Sequence, residues 1–269
     1  MLVTTIPVSV EGQKTGSADL CAYIEDRLFE GEYKPAVLVL GGGAYARYSP
    51  REGEPVAMMY ASLGFHAFVL KYSVMPNVYP VAMNEVGRAL EIIREHAEDW
   101  HVDAEHLFLS GFSSGGHLAL CYAEHRALSF PKPAGLILSY PVISSGEFAH
   151  KPSFEHLLGS EVLTEEHKKL LDEVSLEKHV DAKKVPPVFL WTTWTDQIVT
   201  VENALMLARS LKDAGVNTEL HIFRKGPHSL SLATKYSSAG AHEKNDTYVQ
   251  TWTSLLKNWL FSILDEGNL

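Results

Sequence analysis

The sequence predicts an α/β protein, with a mostly parallel central sheet of about eight strands and helices on both faces. Two features predict it. Short apolar runs such as AVLVL, AFVL, GLILSY and VFLW are near-continuous rather than alternating, as suits parallel strands covered on both sides. Between them lie segments with helical spacing of apolar residues, and strands alternating with helices build such a sheet.

Eight strands are expected, at Val3–Val8, Asp19–Ile24, Ala36–Leu40, His66–Tyr72, His106–Ser110, Ala134–Tyr140, Val188–Thr193 and Thr218–Phe223. No helix separates the first two, so they are expected as an antiparallel hairpin at one edge. Val86, Leu90, Ile93 and Ala97 form one helical stripe, and Val201, Ala204, Leu205, Ala208 and Leu211 a second. Val249, Trp252, Leu256, Trp259 and Ile263 form a third. Each is expected to face the core. Residues 142–185 break this rhythm. They are polar and loosely helical, and are expected to form a small cap inserted over the C-terminal edge of the sheet, within a single domain spanning 1–269. The charged run from Glu165 to Lys169 suits a solvated helix face.

The 269 residues suffice for one large core, with 46% apolar and 21% charged residues. A formal net charge of −10 argues against nucleic-acid or anionic-membrane partners. No apolar run approaches the ~20 residues that span a bilayer. The N-terminal stretch lacks a basic start and an apolar core, so the cytoplasm is expected. Cys21 and Cys121 lie in no C-x-x-C pair, and no metal site is indicated. Cys121 is expected as a small buried apolar residue.

The most informative stretch is HLFLSGFSSGGHLALCYAEH, residues 106 to 125. A strand breaks into Gly111-Phe112-Ser113-Ser114-Gly115-Gly116 and resumes as a helix. No lysine follows Gly116, so it is no P-loop, and the G-x-G-x-x-G of a dinucleotide turn is missing. Gly111-x-Ser113-x-Gly115 does match the G-x-S-x-G nucleophile elbow. There a serine sits on a turn so sharp that its neighbours must be glycine, with a helix N-terminus behind it.

A serine hydroxyl needs a base, and the base needs an orienting acid. With the elbow in this position, the chain order is serine, acid, histidine. Asp196 follows the strand Val188–Thr193, with Glu202 as a reserve further into the next helix. His228 follows the strand Thr218–Phe223, in a Gly-Pro loop. His221 lies on the strand and reads as structural, and His242 is the reserve base. For the oxyanion, one donor is the N–H of Ser114. The second is expected from Gly42 or Gly43, in the Gly41-Gly42-Gly43 run after the third strand.

Five segments, GGGAYARYSPREGEPVA, FVLKYSV, GFSSGGHLA, PPVFLWTTWTDQIVTVENAL and ELHIFRKGPHSLSLA, together resemble α/β-hydrolase-fold esterases of the acetyl esterase type. These are related to acetyl xylan esterases and hormone-sensitive-lipase-like carboxylesterases, and the resemblance covers nearly the whole chain. It implies Ser113 as nucleophile, Asp196 as acid and His228 as base. It also implies removal of short acyl groups, mainly acetyl, from sugars or small esters, with no metal or organic cofactor. Dimerisation is common among such relatives, so a homodimer is a further expectation.

The chain departs from those relatives at several positions. It has Gly41-Gly42-Gly43-Ala44 where many carry His-Gly-Gly-Gly or Pro-Gly-Gly-Gly. It has Ser114 where alanine is frequent, and Thr195 where a second acidic residue is frequent. Trp194 is bulky enough to crowd an acyl pocket. Tyr45, Tyr48, Trp191 and Trp194 are candidates for aromatic contact with a sugar ring, Tyr45 and Trp194 foremost. The expected function is a cytoplasmic serine carboxylesterase that deacetylates small carbohydrates. The alternatives are a serine peptidase of the same fold and a non-catalytic binding protein. The short cap leaves no room for the extra domain such a peptidase carries, and no triad residue is missing, as a binding protein would show.

Overall fold

A computed structural model describes residues 1–126, 131–159 and 165–266 of the chain, without the side chains of residues 166 and 266. The strands are β1 (Leu2–Val8), β2 (Ala18–Ile24), β3 (Lys34–Leu40), β4 (His66–Lys71), β5 (Val102–Phe112), β6 (Leu136–Ser139), β7 (Val188–Thr193) and β8 (Thr218–Phe223). The helices are α1 (Glu54–Ala61), α2 (Val81–Glu95), α3 (Ala97–Trp100), α4 (Ser114–Arg126), α5 (Lys151–Leu158), α6 (Glu165–Glu173), α7 (Val201–Ala214) and α8 (Trp252–Glu266).

The strands form one sheet in the order β1-β2-β4-β3-β5-β6-β7-β8. β1 and β2 make the expected edge hairpin, and β2 also runs antiparallel to β4. Every pairing from β4 to β8 is parallel. Side chains alternate along each strand, so the sheet carries two cores. Leu38, Leu40, Leu109, Leu138 and Leu190 pack with α2, α4 and α7 on one face. Val37, Val39, Phe108, Ile137 and Phe189 pack with α1 and α8 on the other. Helices thus cover both faces, which is why the strands carry no polar alternation.

Differences from expectation are local. β5 extends back to Val102, which pairs with Lys34; the register then shifts, and pairing with β3 resumes at Ala36 and Leu107, so Asp103 and Glu105 lie in the irregular stretch between. Ala97 begins α3 rather than ending α2. In the α7 stripe Leu205 is 40% exposed while Leu207 is buried, so the buried face is rotated from the expected one. Val249 is buried but precedes α8 in a short 3₁₀ turn. Between β6 and β7, α5 and α6 lie within the expected cap, whose residues 160–164 fall outside the described residues. Both cysteines are free and buried, Cys121 among the residues of the α2 and α4 face. No helix among the described residues is long and apolar enough to cross a membrane.

Candidate active site

Parallel strands point the same way, so the loops at their C-terminal ends gather along one edge of the sheet. β5 lies between β3 and β6, and Leu40 is paired with Gly111 and Phe112 with Ser139. The loops after β3, β5 and β6 therefore begin side by side, and those after β7 and β8 follow.

Ser113 sits between the end of β5 and the start of α4, with φ +53°. Left-handed backbone at a residue other than glycine, asparagine or aspartate is strained, and such strain concentrates at functional sites. Its N–H donates to the Ser139 carbonyl at 3.0 Å, and its carbonyl accepts from Gly116 and His117. The glycines of the elbow are required by close approach. A Cβ on Gly111 would lie 2.2 Å from the Gly115 carbonyl oxygen, and one on Gly115 would lie 2.1 Å from that of Leu40.

The Ser113 hydroxyl lies 2.8 Å from His228 Nε2, and His228 Nδ1 lies 2.6 Å from Asp196 Oδ2. With Nδ1 beside a carboxylate, the neutral ring keeps its proton there and leaves Nε2 to accept from the serine. Asp196 is fixed in turn, its Oδ1 accepting the N–H groups of Ile198 at 2.9 Å and Val199 at 3.1 Å. The Asp196 side chain is 1% exposed and that of His228 12%, which shields the pair from water. Such a chain can deprotonate the serine and hold the resulting imidazolium. The reserve residues do not join it. Glu202 lies in the first turn of α7, and His242 is exposed in a 3₁₀ turn. His221, on β8, pairs with Glu219.

The loop after β3 passes very close to Ser113. A Cβ on Gly42 would stand 3.0 Å from Ser113 Cβ and 2.9 Å from the Phe112 carbonyl oxygen. The Gly42 N–H, however, donates to Glu52 Oε2 at 2.8 Å, which corrects its place among the oxyanion donors. The N–H groups of Gly43 and Ser114 have no protein acceptor among the described residues.

The aromatic candidates divide. Tyr45 is 3% exposed and its hydroxyl bonds His117 Nδ1 at 2.8 Å, so it is packing and not a sugar-contact surface. Trp191 is fully buried against Trp252. Tyr48 is half-buried, and burial pushes its phenol pKa up. Trp194, two residues from Asp196, is 59% exposed.

Sequence reasoning missed several residues around Ser113, His228 and Asp196. Glu52 is fully buried and accepts from Gly42, Tyr140 and Ser229. His156 Nδ1 lies 2.9 Å from the Ala44 carbonyl and ties α5 to the loop after β3. His150, at the start of α5, lies close enough to His228 and Asp196 for their charges to act on it, while burial pushes its pKa down. None belongs to a periodic stripe or a spaced motif. Glu52 lies within the segment GGGAYARYSPREGEPVA, but nothing in its spacing singled it out.

A family model described as alpha/beta hydrolase fold matches residues 37–232. Endo-1,4-beta-xylanase B of Butyrivibrio fibrisolvens is 32% identical over 234 residues, covering 82% of this chain and 34% of that protein. The acetylxylan esterase of Xylanibacter ruminicola is 27% identical over 231 residues, covering 85% and 45% respectively. The chain thus spans less than half the length of these curated relatives. Among solved structures, an acetyl ester-xyloside bifunctional hydrolase from Caldicellulosiruptor lactoaceticus is 34% identical, with a TM-score of 0.83 over 97% of this chain and 96% of that one.

Proposed function

The chain belongs to the alpha/beta hydrolase fold family, and on that premise we propose that it is a serine carboxylesterase that removes short acyl groups, chiefly acetyl, from small carbohydrates. The observation that carries this reading is the unbroken contact from Ser113 Oγ through the His228 ring to Asp196, at 2.8 and 2.6 Å. Similarity to an acetylxylan esterase and an acetyl ester-xyloside hydrolase supports an acetylated sugar as the substrate class.

Ser113 Oγ attacks the ester carbonyl as His228 Nε2 takes its proton. The N–H groups of Ser114 and Gly43 hold the oxyanion, each such donor contributing about 3 kcal/mol to transition-state stabilisation. The tetrahedral intermediate collapses, the C–O bond to the alcohol breaks, and His228 returns the proton to the leaving oxygen. Water then attacks the acyl-enzyme as His228 takes its proton; the bond to Ser113 Oγ breaks, His228 returns the proton to that oxygen, and the acid leaves. Asp196 holds the ring and stabilises its cation without itself being protonated. Residues 142–185 act as the cap, with His150 and His156 on the side that meets the sugar. The exposed Trp194 indole offers the ring a stacking face. The compartment we assign is the cytoplasm, which suits two unpaired cysteines.

The test is kcat/KM on p-nitrophenyl acetate, butyrate and octanoate for wild type and Ser113→Ala, followed by acetylated xylo-oligosaccharides. Acetate should be fastest, and the variant should lose about 10⁴-fold or more. A wild type no faster than the variant on every ester would overturn the reading.

A further inference from the structure

We propose that Glu52 is a positioning residue that locks the oxyanion loop and the loop of the catalytic histidine into one rigid unit. This rests on the esterase reading above.

Glu52 lies in the turn before α1, and its side chain is wholly buried. Its Oε2 accepts the Gly42 N–H at 2.8 Å, and its Oε1 accepts the hydroxyls of Tyr140 and Ser229, both at 2.8 Å. All three partners are donors, and a carboxylate accepts from all three at once. Each partner adjoins a different part of the machinery. Gly42 precedes Gly43 in the oxyanion loop. Tyr140 leaves β6, and its ring meets that of His228 edge-on at 5.0 Å. Ser229 directly follows His228.

The neighbouring residue strengthens the same grip. Arg51 Nη2 donates to the Ser229 carbonyl at 2.8 Å and to its hydroxyl at 3.1 Å, and Nη1 donates to the Ser237 carbonyl at 3.0 Å. The Ser231 hydroxyl donates back to the Arg51 carbonyl at 2.6 Å, and the Ser231 N–H donates to the Tyr140 hydroxyl at 2.8 Å. The loop being held needs holding. Ser229, Ser231 and Ala233 have φ of +64°, +54° and +53°, a conformation that persists only where surrounding contacts impose it.

No Lys, Arg or His makes an ion pair with Glu52 among the described residues, although Lys244 lies near enough for the two charges to act on each other; three hydrogen bonds are the direct contacts that hold this buried acid. An apolar side chain would be the simpler choice for packing. What the carboxylate adds is simultaneous control of two loops whose separation sets where the oxyanion donors sit relative to the base. A misplacement of about 1 Å in such a site can cost about 10²-fold in rate.

Glu52→Gln keeps the shape but replaces one acceptor with a donor. The variant and wild type are titrated with a fluorophosphonate, so that kcat on p-nitrophenyl acetate is expressed per reactive Ser113. We expect kcat per titrated site to fall about 10- to 100-fold, with KM changed less than about threefold. The affinity for a trifluoromethyl ketone, whose adduct places an oxyanion in the hole, should fall by the same factor. A lowered melting temperature with unchanged kcat per titrated site would show a purely structural role and overturn the proposal. If Glu52→Gln does not fold, Ser229→Ala decides. That variant removes one of the three bonds; a kcat lowered about threefold or more per titrated site supports the lock, and an unchanged one overturns it. Ser113→Ala serves as the control. If it matches an inactive wild type, the esterase reading fails and this proposal with it. If it is dead while Glu52→Gln is fully active, only this proposal fails.

Discussion

Leu40 and Gly111 are paired across β3 and β5, so the triple-glycine loop and the turn at Ser113 leave the sheet from adjacent register positions. The pairing leaves no space between the two turns. A Cβ on Gly115 would meet the carbonyl oxygens of Leu40 at 2.1 Å and Gly41 at 2.7 Å. Both are backbone atoms, so the loop itself would have to move. Gly115→Ala is therefore expected to cost about 1–3 kcal/mol of stability as overpacking. It should lower kcat/KM by more than that stability loss explains, because it displaces the oxyanion donors. Thermal unfolding and esterase kinetics on the folded fraction measure the two effects separately.

Asp196 is held on both oxygens, one by His228 and the other by two backbone N–H groups. Asparagine can satisfy only one of those sides as an acceptor. Asp196→Asn is expected to leave the fold intact and to favour the wrong tautomer of His228. By analogy with other serine triads, kcat should drop about 10⁴-fold. A loss below about tenfold would mean that another group orients the imidazole.

Tyr45 and His117 form a buried pair beneath the loop after β3, with the far ring nitrogen of His117 2.9 Å from the Val174 carbonyl. Burial pushes the His117 pKa down to about 4 from an ordinary 6.5, so the folded protein keeps this ring neutral. Between those values the unfolded chain binds a proton that the folded one does not, and stability falls as pH is lowered through them. Tyr45→Phe should cost about 1 kcal/mol, from the lost hydrogen bond. It should leave KM for acetylated sugars unchanged. A raised KM with normal stability would return Tyr45 to the substrate surface.

Glu124 on α4 is 1% exposed, and neither carboxylate oxygen has a hydrogen-bond partner among the described residues. Burial first, and the charge of Glu177 second, push its pKa up to about 9 from 4.5. Between those values the folded state keeps a proton that the unfolded state has released, so stability declines as pH rises. Glu124→Met removes the acid at similar volume. It should raise the melting temperature, and by more at pH 8 than at pH 5, with a change of at most about 1.4 kcal/mol per pH unit. Equal shifts at both pH values would show that Glu124 is ionised in the folded protein.

Some elements were legible because their cause is local. β7 runs where the apolar run VFLW places it, and β8 spans the expected Thr218–Phe223. The elbow was legible because its turn tolerates only glycine at Gly111 and Gly115. The Ser113, Asp196, His228 order could be read once the strands were placed, since each residue follows a strand end by a few positions. The rotated face of α7 was not legible, because Leu205 and Leu207 are both apolar and only the neighbouring strands decide which one is covered.

Residue order along the chain was enough to read the alternation of strands and helices and the glycine-flanked turn at Ser113. Each depends on apolar periodicity or on a residue's own backbone preference, which act over a few positions. The strand order, the burial of Tyr45, the commitment of the Gly42 N–H, the contacts joining Ser113, His228 and Asp196, and those of Glu52 are settled by how distant segments pack. The partners of Glu52 lie 10, 88 and 177 residues away along the chain. No local preference encodes such bonds; they arise because parallel strands bring their C-terminal loops to a single edge, where a buried carboxylate must find donors or be excluded.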